Sequence, residues 1–144
     1  MIRMHLQIVG ALLLLLGAAH SVIPRYFGWK RELASVSLLT RQVFMVHNFF
    51  IGLLVVMFGL LSLLYADDLL APAPLSRAVL IGILFFWIIR LVFQFAVYDP
   101  AIWRGKRLYA GMHVFFSFFW GYVVLTYAAA LTCDFPSVFS QVRR

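Results

Sequence analysis

The stretch Val43–Tyr65, VFMVHNFFIGLLVVMFGLLSLLY, contains no Asp, Glu, Lys or Arg and no proline. Crossing ~30 Å of hydrocarbon takes ~20 mainly apolar residues at a rise of ~1.5 Å each. This run is long enough, and so are Leu6–Ile23, Ala78–Tyr98 and Leu108–Thr132. The chain is therefore expected to be an all-α integral membrane protein. Its four-transmembrane-helix bundle has spans near residues 6–23, 43–65, 78–98 and 108–132 and forms a single domain over residues 1–144.

Composition points the same way. Of 144 residues, 65% are hydrophobic and only 12% are charged, against roughly 25% charged in soluble domains. What lies between the runs is too short for a soluble domain. The net charge of +7 comes from basic residues scattered over short loops and tails. Without a basic stripe, nucleic acid is not an expected partner; orientation and contact with anionic membrane lipids are. The single cysteine, Cys133, rules out an intrachain disulfide, a CxxC redox centre and a thiolate metal cluster within one chain. Arg3, the apolar run after it, and Gly17 with Ala19 resemble a signal peptide and its cleavage site. The basic segment that follows disfavours export, so a retained helix is expected.

The same basic residues set orientation. Arg25, Lys30, Arg31, Arg41, Arg104, Lys106 and Arg107 fall on one side of the spans. The other side has Arg3, Arg77, Arg143 and Arg144, with Asp67, Asp68 and Asp134. The excess places loops one and three in the cytoplasm and both termini outside. In a bacterium the location would be the cell inner membrane.

The connections carry local signals. Pro24 is expected to stop the first helix, with Tyr26, Phe27 and Trp29 as an interfacial aromatic belt. Leu33, Val36 and Leu39 or Thr40 recur at roughly helical spacing, so a short interfacial helix is expected in the first loop, between Lys30 and Thr40. Thr40 would cap the second span. Pro72 and Pro74 favour an extended turn, and Asp99-Pro100 breaks the third span.

The polar groups inside the apolar runs gather on particular faces. Gly10, Gly17 and His20 share one line on the first helix, and Arg41, Asn48 and Gly52 share one on the second, with His47 a quarter turn away. The third carries Trp87, Arg90 and Gln94, with Asp99 beyond its end; the fourth carries His113, Ser117 and Gly121. Polar and small residues coincide, as they do where membrane helices pack together. His20, His47 and His113 also lie at similar depth from their loops, with Arg90 deeper. Ionisable groups are costly inside a bilayer, so this set is the candidate site. His20, His47 and His113 are the candidate metal ligands; Arg41, Asn48, Arg90, Gln94 and Asp99 are the candidate ligand-binding residues. His5 falls on the opposite side and is left out.

Three chemistries suit histidines without cysteines. Two imidazoles suit axial ligation of haem, with Arg90 or Arg41 beside a propionate. Three suit a transition metal such as zinc, copper or iron. Histidine and arginine together suit a quinone, an isoprenoid or another lipid ligand, histidine exchanging the proton and Arg90 holding negative charge. No residue is assigned a catalytic role: Ser117, one turn from His113, reads as a packing serine, and no nucleophile elbow or phosphate loop occurs. The competing class is a non-catalytic accessory or assembly subunit that works through partner subunits in a larger membrane complex.

Overall fold

The computed structural model describes residues 1–132. Cys133, Asp134, Arg143 and Arg144, used above for redox chemistry and orientation, lie outside the described residues. The described residues are helical, without strands among them. Four helices are long and apolar enough to cross a membrane: α1 (Ile2–Tyr26), α3 (Leu38–Leu64), α5 (Pro74–Ala96) and α6 (Arg107–Thr132). Two single-turn helices, α2 (Trp29–Glu32) and α4 (Ala66–Leu69), sit in the connections.

The helices are longer than the apolar runs, because the ends follow caps and glycines more closely than hydropathy. α1 continues through Pro24. It runs only two residues further, to Tyr26, since a proline there removes one i→i−4 hydrogen bond and crowds the preceding turn. The chain turns at Gly28, whose φ of 64° is left-handed and natural to glycine. The expected helix over Lys30–Thr40 is shorter: α2 passes into a 3-10 turn at Leu33–Ser35, and Val36 is extended. Ser37, not Thr40, caps α3. Its Oγ accepts from the Thr40 amide at 3.2 Å and lies 2.8 Å from the Thr40 hydroxyl. α5 starts at Pro74, where the preset φ suits a first helical turn that leaves its N–H unbonded anyway. α5 ends at Ala96, and a 3-10 turn over Pro100–Ile102 and Gly105 (φ 75°) lead into α6.

Packing divides the described residues into two compact units, Gln7–Ala66 and a second made of residues 1–6 with those from Asp67 onward. In the first unit, α1 and α3 approach at glycines. A Cβ on Gly10 would lie 2.7 Å from Leu63 N and 2.8 Å from the Gly59 carbonyl oxygen. One on Gly17 would meet Val56, and one on Gly52 would lie 3.1 Å from His20 Cβ. The line Gly10, Gly17 and His20 is thus a packing face, as small residues in apolar helices imply. Gly121 differs: a Cβ there meets nothing within 4 Å, so the small residue on the polar line of α6 does not mark a close approach.

In the second unit, α5 pairs with α6. Trp87 and Trp120 stack at 4.9 Å between ring centres, and both are buried. Val123 and Tyr127 continue the buried face of α6. At the far end of this pair the first turn of α1 is attached: His5 Nδ1 is 2.9 Å from the Tyr122 hydroxyl, and Arg3 Nε is 2.7 Å from an Asp67 carboxylate oxygen. Tyr122, the partner of His5, stands nine residues along α6 from His113, or ~13 Å.

Candidate functional site

Spacing on two helices builds the polar cluster of the second unit. Trp87, Arg90 and Gln94 follow one another at helical intervals on α5, and His113, Ser117 and Trp120 do so on α6. Pairing the two faces brings Gln94 to His113 and Arg90 to Trp120. Arg90 Nη1 donates to Gln94 Oε1 at 3.2 Å, and Gln94 Nε2 lies 2.9 Å from His113 Nδ1. The Arg90 guanidinium carbon sits 4.7 Å from the Trp120 ring centre and 5.9 Å from that of Tyr98. Such cation–aromatic contacts are worth ~0.5–2 kcal/mol, rising as water is excluded.

The chain of bonds determines a tautomer. A guanidinium only donates, so the Gln94 atom facing it must be the oxygen. The Gln94 amide nitrogen therefore faces His113 and donates to Nδ1. His113 is then neutral in this arrangement, with its proton on Nε2. Gln94 is 4% exposed, so neither of its polar ends can turn to water instead. Trp103, from the turn after α5, stacks on the imidazole at 4.0 Å with the planes 23° apart. The His113 ring is thus held by a hydrogen bond at one edge and an aromatic plane on one face.

No carboxylate lies within ion-pair distance of Arg90 among the described residues. Asp99, expected as a ligand-binding residue and a possible partner for Arg90, instead caps the 3-10 turn, accepting from the Ala101 amide at 2.8 Å. A buried donor beside Arg90 lacks a partner. The Trp120 indole N–H forms no hydrogen bond among the described residues.

The remaining expected site residues belong to the first unit. His20 Nδ1 is 2.9 Å from the Leu16 carbonyl oxygen, and His47 Nδ1 is 2.9 Å from that of Val43. Each imidazole thus donates back to its own helix, and His47 is exposed. Arg41 is in the first turn of α3, and both it and Asn48 are partly exposed. Among the described residues no group of three or more His, Cys, Asp or Glu side chains is placed to hold a metal ion. Ser117 bonds the His113 carbonyl at 2.8 Å, as helical serines commonly do.

Trp103 and Trp120 were not among the expected site residues. For Trp120 a signal existed: it stands seven residues after His113, on the same helix line. Trp103 carried none beyond its aromatic character. Comparison with protein-family models, with curated proteins and with solved structures finds no match.

Proposed function

We propose that this chain is a multi-pass integral membrane protein that binds the polar head of a membrane-dissolved ligand, a quinone or lipid-linked compound, on the paired faces of α5 and α6. Loops one and three would face the cytoplasm, as the distribution of basic residues suggests. The observation that carries the reading is Arg90. It stands within a 23-residue apolar helix, has no carboxylate beside it among the described residues, and is bonded through Gln94 to His113. Arg90 lies six residues, ~9 Å, inside the C-terminal end of this helix, where a charge is still costly unless it is compensated. Arg90 supplies positive charge to the head, Gln94 aligns it with His113, and His113 supplies the exchangeable proton on Nε2.

The test is to extract the protein in mild detergent and analyse what travels with it. A quinone or lipid that co-purifies with the wild type and is lost from Arg90→Ala, at equal folded yield, supports the reading. An identical extract from both proteins would remove it. A haem absorption band or stoichiometric metal would replace it with redox or metal chemistry.

A second reading, a non-catalytic subunit of a larger assembly, is favoured by α3. From Gln42 to Ile51 every residue but Asn48 is exposed, His47 included. A polar side chain on an all-round exposed apolar helix suits a covering partner. Under that reading His47→Leu impairs assembly, while Arg90→Ala leaves bound lipid unchanged.

A further inference from the structure

We infer that the ligand of the Arg90 site carries an oxyanion, a carboxylate or phosphate, on an apolar chain, and that the Trp120 indole N–H shares in binding it. The inference rests on the proposed ligand site and goes further by naming the chemistry of the head.

The groups left unused at this site are all donors. Arg90 has five N–H groups; Nη1 donates to Gln94 and the Tyr98 hydroxyl takes a further bond, which leaves donors free. His113 keeps Nε2–H once Gln94 has taken Nδ1. Trp120, only 4% exposed, has an indole N–H with no acceptor among the described residues. The Arg90 guanidinium lies 4.7 Å from the centre of the same Trp120 ring, so the two donors stand on neighbouring side chains. A ligand that fits must be an acceptor.

Charge narrows the class further. A neutral quinone carbonyl would accept these bonds but leave the Arg90 charge uncompensated. An oxyanion accepts the same bonds and neutralises it, and a guanidinium matches two carboxylate or phosphate oxygens at once. The apolar chain follows from location. Arg90 is partly exposed, and Ile89, Val92 and Phe93 around it are exposed apolar side chains. A head delivered here arrives through an apolar surface, as an amphiphile does.

The sequence has four tryptophans, so indole N–H resonances of the protein in dodecyl maltoside micelles, which carry no oxyanion, form a simple spectrum, and Trp120→Phe identifies the signal of Trp120. Oleate, methyl oleate, acetate and a decyl-substituted benzoquinone serve as probes. Oleate should move the Trp120 signal saturably, and methyl oleate and acetate should not. Arg90→Gln should weaken oleate at least ~10-fold, the scale of one charge-assisted hydrogen bond. Arg90→Lys should keep part of the affinity, and the unmoved Trp29 signal, with the circular dichroism of each variant, reports that it is folded. An equal response to methyl oleate, or oleate binding unchanged in Arg90→Gln, would overturn the oxyanion. A response to acetate equal to that of oleate would overturn the apolar chain. Binding of the benzoquinone without oleate would overturn this inference and leave the ligand site standing. No response to any probe would count against both.

Discussion

Replacing Gly10 by alanine tests how closely α1 and α3 approach. The added Cβ would lie 2.7 Å from Leu63 N and 2.8 Å from Gly59 O, where ordinary contact begins near 3.4 Å. The overlap is about 0.7 Å, and both neighbours are backbone atoms of a helix, which cannot rotate aside as a side chain can. The two helices must separate, and overpacking of this kind costs ~1–3 kcal/mol. Alanine recovers ~0.8–1 kcal/mol of helix propensity relative to glycine. Gly121→Ala provides the matched control, because it has the same propensity gain with nothing within 4 Å of the new atom. Unfolding in bicelles, followed by circular dichroism, should show Gly121→Ala unchanged or stabilised by up to ~1 kcal/mol. Gly10→Ala should fall below it by ~1–3 kcal/mol, the overpacking cost alone. Equal stability of the two variants would refute the close approach of α1 and α3 at Gly10.

Gln94→Glu places a carboxylate where Arg90 now has a neutral amide. It should abolish oleate binding in the micelle titration while keeping the folded yield, since the internal acid satisfies the guanidinium; retained binding would count against Arg90 as the anion-holding group. Removing the Ser37 hydroxyl with Ser37→Ala should cost ~1 kcal/mol in the same unfolding assay, the usual loss for an N-cap, whereas Thr40→Val should cost less. A double-mutant cycle over His5→Phe and Tyr122→Phe should return a coupling of ~0.5–1.5 kcal/mol for their 2.9 Å bond. The Arg3–Asp67 pair, with side chains 57% and 70% exposed, should give less than ~1 kcal/mol and fade with salt.

What could be read from the sequence, and what could not, follows from the range of the interactions involved. Four apolar runs locate four long helices because hydropathy averages over ~20 residues and is insensitive to any one of them. Helix ends depend on single groups instead. Gly28 needed its positive φ, Ser37 caps α3 through the Thr40 amide, and α1 ends two residues past Pro24 and not at it. The candidate site shows the same division. Arg90 and Gln94 share a helix line, which sequence spacing exposes at once, and His113 lies on the polar line of the next span. That Gln94 joins them is a pairing between helices, and no periodicity specifies which residue of α6 stands opposite which residue of α5. Asp99 illustrates the cost of that gap: by sequence it was the nearest acid to Arg90, yet its carboxylate binds an amide two residues on. Local capping outcompeted the longer-range ion pair because it orders only one short side chain and closes a turn that Pro100 already requires. Arg90 is then left without an acid among the described residues, held instead by Gln94 and by the Trp120 and Tyr98 rings. Gln94→Glu tests the proposed site by giving Arg90 an internal acid. It keeps an acceptor for the guanidinium and supplies the counter-charge, at the cost of the amide donor to His113 Nδ1, so loss of the anion there as well as in Arg90→Ala is the result the proposal requires.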